Sequence, residues 1–362
     1  MKPPAWADTA ADLHRHFDTV VVPLWQGHGF DARMGLPHEA LDQSGAPVPD
    51  TRYRAMACAR QLYVYAQVAG DAAQAHAARL FDALPRYFHD PQRNAWLFSV
   101  DAQGQALDAT QDLYTHAFLV LACATYFERS RDERALRHML ATARLIEERF
   151  GRGDGLYHAA LSAHGQPVRG PEQNPIMHLT EAYLAAAGVA EPVWFVQALR
   201  RIADGIARSF LDPDTQCIAE LPLGTADNRI EPGHQFEWYS LLHAAPRVYE
   251  GLALPAAVPR GCLWARAKGV APDTAGVCAA LDMRGGMRDA TERIWAQTEY
   301  ARYLALAGEH DALAVQLARF EQRFVHAQGW REVIGADGAL MRADMPSTTP
   351  YHLMAAYAAL RA

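Results

Sequence analysis

One period organises this 362-residue chain. Arg60, His116, His178, His234, Trp295 with Glu299, and His352 recur at steps of 56, 62, 56, 61 and 57 residues. Each lies in or beside a stretch whose apolar residues return every three to four positions, the spacing of a one-sided helix. Such stretches run near 8–21, 50–69, 71–87, 112–128, 132–149, 177–190, 192–208, 235–250, 256–268, 291–307, 309–325 and 350–361. Between pairs of them lie short apolar segments around glycine-bearing turns: MGLPHEALDQSGAPV, AWLFSVDAQGQAL, GLYHAALSAHGQPV, CIAELPLGTADNRI, VCAALDMRGGM and GWREVIGADGALM. Glycine supplies the positive φ that a tight hairpin requires. The fourth and fifth copies are less regular than the rest.

A repeat of this size restricts the fold severely. One helical hairpin cannot bury its own apolar faces, so successive hairpins must stack. In an open solenoid the six marked positions would spread along an axis; only ring closure brings them together. The expected fold is therefore all-α, an (α/α)6 barrel. Six helical hairpins form a closed toroid with short β-hairpin loops, and residues 1–362 make a single domain.

Half the residues are apolar and 21% are charged, the balance of an ordinary soluble enzyme. A net charge of −7 gives no electrostatic reason to expect nucleic acid or an anionic membrane as partner. No stretch approaches the roughly 18 to 20 apolar residues of a membrane span, and MKPPAWADTAADLHRHF lacks the apolar centre of a signal peptide. Five cysteines without a CxxC pair suggest neither disulfides nor a zinc site, so a reducing cytoplasm is expected. A homo-oligomer is compatible with the sequence.

Most of the sixteen histidines read as surface or structural residues. Those sharing one phase of the repeat are different, because independent surface histidines have no reason to keep step. His178, His234 and His352 are read as functional on that ground. His116, in YTHAF, fits equally a packed helix start with its imidazole bonded to backbone. Arg60 sits among Met56, Leu62, Tyr63 and Tyr65, where a buried guanidinium needs an oxygen-rich partner. His234 and Glu237 lie three apart on one helical face, so the carboxylate is expected to orient the imidazole and raise its pKa. Trp238 reads as core, and Trp295 as either core or the wall of a sugar site.

No GxGxxG, GxxxxGK[ST] or GxSxG is present, which argues against hydride transfer and phosphoryl transfer. Imidazoles, carboxylates and one fixed cation suit proton transfer beside a carbonyl. Two carboxylates, Glu237 and Glu299, leave an inverting glycoside hydrolase open, and a non-catalytic sugar-binding protein is a third reading. Neither gives the in-phase histidines a task. HxxE is not a metalloprotease signature, and no metal is expected.

CARQLYVYAQ, DLYTHAFLVLA, NPIMHLTEAYLA, EPGHQFEWYSLL, RIWAQTEYARYLAL and PSTTPYHLMAAY resemble, in order and spacing, the motifs of the N-acylglucosamine 2-epimerase superfamily. Through ARQLYVYA the chain is most similar to the D-mannose isomerases. The resemblance implies an (α/α)6 barrel and metal-independent, cofactor-free aldose–ketose isomerisation of D-mannose, with D-lyxose as a further substrate. A sugar 2-epimerase is the alternative. It also implies that His234 and His352 are the acid/base pair, supported by Glu237 and Arg60. Substrate contacts are expected from His178, Trp295, Glu299, His116 and Glu181. Epimerases acting on disaccharides often carry two adjacent tryptophans where this chain has Ile294-Trp295, which weakens a disaccharide assignment.

Overall fold

The computed structural model describes residues 4–49 and 52–360. Its helices, in chain order, are α1 (Ala7–His16), α2 (Val22–Gln26), α3 (Ala55–Gln67), α4 (Asp71–Phe88), α5 (Leu113–Ser130), α6 (Glu133–Leu145) and α7 (Gln173–Val189). They continue with α8 (Pro192–Ser209), α9 (Pro232–Ala244), α10 (Leu254–Gly269), α11 (Ile294–Leu306), α12 (His310–Phe324) and α13 (Thr349–Ala359). A π-helical turn at Phe17–Val21 joins α1 to α2, and another at Ile146–Phe150 extends α6. The first two residues expected of the 50–69 helix and the last of 350–361 lie outside the described residues.

Several helix ends differ from the periodic pattern, three of them for a clear local reason. The helix expected over 235–250 stops at Ala244, because Pro246 drives Ala245 out of the helical region. That expected over 177–190 begins at Gln173, with Pro175 tolerated in the first turn, where its missing N–H has no acceptor to lose. That expected over 50–69 begins at Ala55, since Arg52–Arg54 is extended and pairs with Ser99–Asp101.

The chain groups into two compact units. One holds Met1–Gly27, Ala40–Ala46 and Ser209–Ala362; the other holds His28–Glu39 and Pro47–Arg208. Within the second, α3 packs on α4 and α5, and α5 packs on α6 and α7. Burial separates two kinds of helix here. Eleven of the thirteen residues of α3 are buried, so it is enclosed on every side, whereas α6 buries a single stripe of Ala135, Met139, Thr142 and Ala143. The first unit repeats the scheme. There α9 packs on α10 and α11, and α11 on α12 and α13. Enclosed α13 buries nine of its eleven residues, while α12 buries the one-sided set Leu313, Gln316, Leu317, Phe320 and Phe324.

Short strands fix where the enclosed helices begin. Arg52–Arg54, just ahead of α3, pairs with Ser99–Asp101, which folds back on Ala106–Asp108. Gln111–Asp112, ahead of α5, likewise joins the hairpin of Ala160–Leu161 and Pro167–Arg169. Arg229–Ile230, ahead of α9, joins Ala280–Asp282 and Met287–Asp289; Glu292–Arg293, ahead of α11, joins Val333–Ile334 and Leu340–Arg342. The turns follow aspartate–glycine chemistry. Asp101 Oδ1 accepts the amides of Gln103 and Gln105, and Asp282 Oδ1 those of Arg284 and Gly286, while Gly104 and Gly285 take φ of 78° and 88°.

The fourth segment departs from this pattern. In place of a hairpin turn it makes a loop from Leu221 to Asn228, tied where Asn228 accepts from the Leu221 amide and donates to its carbonyl. Its strand is latched to α9 by a side chain. Gln235 accepts from the Ile218 amide at 2.8 Å and donates to the Ile218 carbonyl at 2.9 Å. Gln297 on α11 holds Val277 in the same way, at 2.8 and 2.9 Å. Among the described residues no helix is long and apolar enough to cross a membrane, and the five cysteines are buried and free.

Candidate active site

The first unit gathers two imidazoles on one indole. His234 lies in the first turn of α9, Trp295 in that of α11, and His352 in that of α13. Trp295 stacks on His234 with ring centroids 4.8 Å apart and planes 30° apart, and meets His352 at 5.7 Å and 35°. Both imidazoles are almost wholly enclosed, while Trp295 stays half-buried. Gly233 makes the stack achievable: a Cβ there would stand 2.7 Å from the Trp295 ring. Gly233→Ala is expected to push the indole off His234. Better helix propensity offsets only part of the overpacking, leaving a net loss of about 1–2 kcal/mol. Thermal unfolding and near-UV circular dichroism would read this; an unshifted tryptophan signal would refute it.

Each imidazole is held at Nδ1 by a carboxylate. His234 Nδ1 lies 2.7 Å from Glu220 Oε1, and His352 Nδ1 lies 3.0 Å from Glu299 Oε1. An ionised carboxylate only accepts, so each Nδ1 carries a hydrogen and Nε2 is the atom left for proton transfer. Around His234, burial works against the charged ring. The negative charges of Glu220 and Glu231, the bond to Glu220 and the charge of Glu237 outweigh it, raising the pKa to about 9. Glu231 stands 3.7 Å from Nδ1 and is itself engaged by Arg229, at 2.9 Å from Nε.

The orientation expected from Glu237 therefore comes from elsewhere. Glu237 adds the weakest of the charge effects named for His234, and its carboxylate lies instead with Glu299 and His352, their ligand-type atoms all within 4.8 Å of one another. Spacing of three along α9 put Glu237 on the face of His234 but could not show which nitrogen it reaches. Glu220, from the fourth segment, was not anticipated. Nor was the pairing of Glu299 with His352. Each of the two clusters, Glu220–Glu231–His234 and Glu237–Glu299–His352, has donor types a metal ion accepts. Both Nδ1 atoms already spend their hydrogens on carboxylates, and Arg229 and Arg302 stand at Glu231 and Glu299, so these groups read as hydrogen-bonded ion pairs.

The second unit carries a cluster of its own. The Arg60 guanidinium lies over the Phe118 ring at 4.2 Å and over Tyr114 at 5.3 Å, and donates to the Tyr114 hydroxyl. His178 meets Tyr114 edge-on at 4.9 Å and Phe118 at 4.8 Å, with Nδ1 3.3 Å from Glu181 Oε2. Arg60 and His178 thus share two rings, Glu181 is held on His178, and Tyr114 and Phe118 join them as residues the sequence had not singled out. His116 is not brought there. Two positions from Tyr114 is 200° around a helix, so His116 points the other way. It lies against Phe150 at 5.0 Å and donates from Nδ1 to the Asp112 carbonyl at 2.8 Å; burial lowers its pKa to about 4. This is the packed, backbone-bonded state that its sequence allowed. Trp238 is fully buried, as core.

Comparison with known proteins bears on what such groups do. A sequence model of the family described as N-acylglucosamine 2-epimerase (GlcNAc 2-epimerase) matches residues 36–356. The chain is 30% identical to a Rhizobium meliloti (strain 1021) protein named mannose-6-phosphate isomerase, across 96% of this chain and 95% of that protein. It is 31% identical to a Thermobifida fusca protein named D-mannose isomerase, across 80% of this chain and 70% of that one. Among solved structures, cellobiose 2-epimerase from Bacillus thermoamylovorans B4167 superposes with a TM-score of 0.87 at 18% identity, covering 97% of this chain and 98% of that one. A D-mannose isomerase structure gives 0.86 at 19% identity, covering 97% of each chain. At such identities the two structures show a shared fold.

Proposed function

Because the chain belongs to the N-acylglucosamine 2-epimerase family, we propose that this sugar isomerase/epimerase interconverts the aldose D-mannose and its ketose, D-fructose, through a cis-enediolate, without a metal. Acceptance of D-lyxose belongs to the same proposal. The observation that carries it is the pair of buried imidazoles flanking one half-buried indole, each held at Nδ1 by a carboxylate. The names of the two curated relatives, mannose-6-phosphate isomerase and D-mannose isomerase, support mannose as the kind of sugar. The six evenly spaced positions and the fold shared with the epimerase structures support one (α/α)6-barrel domain with its enclosed helices in a closed ring.

The chemistry follows from the protonation states. With its pKa raised to about 9, His234 is imidazolium at neutral pH and can protonate the ring oxygen as the C1–O5 bond breaks, taking up the O1 hydroxyl proton in exchange, so the sugar opens. His352 Nε2 then takes the proton from C2 of the open aldose while the carbonyl oxygen O1 gains negative charge. Nearby His234 and, in this proposal, Arg60 stabilise that charge electrostatically. Return of the proton from His352 to C1, with the O2 proton passing to O1, closes the enediolate to the ketose. Glu299 steadies the imidazolium formed on His352, and Glu237 keeps a second carboxylate beside it. Trp295 offers an apolar face to the C–H side of the sugar. His178 and Glu181 are assigned to sugar hydroxyls, and His116 has no part in the chemistry.

The second imidazole favours one further reading. If it reprotonates C2 from the opposite face, the product is glucose, and the enzyme is a 2-epimerase. Incubation with D-mannose in deuterated water, after exhaustive chelation, separates the outcomes. Fructose carrying solvent deuterium is expected, with activity surviving chelation. Glucose as first product would replace isomerase by epimerase. Turnover of D-mannose 6-phosphate alone would replace the unphosphorylated substrate. No turnover of mannose, lyxose, fructose or N-acetylated hexosamines would refute the whole proposal.

A further inference from the structure

We propose that Glu220 is the positioning residue of this reaction: delivered by the irregular fourth segment, it fixes the tautomer and ring orientation of His234, leaving Nε2 for the proton transfer. This rests on the function proposed above and adds a residue to it.

The competing explanation is structural, and the repeat allows the two to be weighed. Three backbone hydrogen bonds place Glu220 at the same point of its segment as Glu39 and Glu332. The preceding residues His38, Ala219 and Arg331 donate to Gly29, Phe210 and Phe324 in the same register. By the same register the other segments carry Phe98, Ala159 and Ala279, following Leu97, His158 and Cys278, whose amides donate to Phe88, Phe150 and Gly269. The fold therefore does not need an acid there. Glu39 serves the scaffold, accepting from the Arg54 amide and its Nε just ahead of α3. Glu332 accepts from the Thr349 hydroxyl and the Trp330 indole. Glu220 occupies the same perch, but the group it holds is the His234 imidazole, at 2.7 Å.

The surroundings stiffen that contact. Gln235, adjacent to His234, latches Ile218, two residues before Glu220, so helix and strand cannot drift apart. Asn228 closes the loop on the far side, and the Glu220 amide donates to the Arg229 carbonyl. Arg229 in turn engages Glu231, the other carboxylate near Nδ1, and tempers its claim on the ring. A carboxylate so placed does for His234 what an orienting acid does in any acid/base pair.

Glu220→Gln keeps shape and removes charge. Turnover of D-mannose is expected to fall about 10- to 100-fold with KM within about threefold, and the alkaline limb of the rate–pH profile to move to lower pH. A merely structural carboxylate would lower the unfolding temperature and leave that profile in place; this result would overturn the proposal. A second measurement needs neither turnover nor the variant. In ¹⁵N-histidine spectra of the wild-type enzyme without substrate, the signals lost in His234→Asn should show Nδ1 protonated at pH 7 and above. An Nε2–H neutral tautomer at pH 7 would refute the positioning role. Failure of every sugar assay with an Nδ1-protonated His234 would instead refute the sugar chemistry and leave the Glu220 contact standing.

Discussion

His352→Asn is expected to cut D-mannose turnover by about 10²- to 10⁴-fold, the range a positioned general acid/base supplies, with little change in the unfolding temperature. Asparagine is chosen because its amide can still donate to Glu299 Oε1, which is fully buried and accepts from the imidazole at 3.0 Å. Alanine would leave that carboxylate without its donor and confuse loss of chemistry with loss of stability. Exchange of the C2 proton with solvent should fall in parallel with product, because the same atom carries both events. If turnover stays within threefold of wild type, His352 has no part in the mechanism. If turnover falls while C2 exchange persists, another group removes the proton and His352 acts at a later step.

The residues differ in how much of their role the chain reveals. Helix identity was legible because it depends on local patterning. Leu313, Gln316, Leu317, Phe320 and Phe324 mark α12 through spacing alone, and Pro246 sets the end of α9 through sterics alone. The period that singled out Arg60, His178, His234, Trp295 and His352 was legible for the same reason, as each sits near the start of an enclosed helix. Partnership across elements was not. Glu237 shares a helical face with His234, but the atom bonded to Nδ1 comes from a loop fourteen residues earlier. His116 matched the period in count and missed it in angle, since Tyr114 and Phe118, four apart, hold the inward face of α5. One signal for Glu220 does exist in the sequence. Glutamate recurs at the corresponding point of the first, fourth and sixth segments, as Glu39, Glu220 and Glu332, though only the backbone register shows that those points correspond.

A substitution at His234 reaches beyond catalysis, because this ring is charged in the folded state. His234→Asn should lower turnover by about 10²- to 10⁴-fold, as loss of a positioned acid does, and should also change how stability depends on pH. The folded imidazole titrates near 9 and an unfolded histidine near 6.5, so folding binds a proton between those values. A raised folded-state pKa stabilises fully below about 6.5, and that contribution is lost as pH climbs through about 9. The shift corresponds to stabilisation on the order of 3 kcal/mol. Wild type should therefore exceed His234→Asn in denaturant stability at pH 6, with the gap closing by pH 9.5. Asparagine can still donate to Glu220, so the closing gap isolates the proton on the imidazole. A gap that stays constant from pH 6 to 9.5 would mean that the ring is not held charged, and His234 could not then serve as the proton donor that opens the sugar.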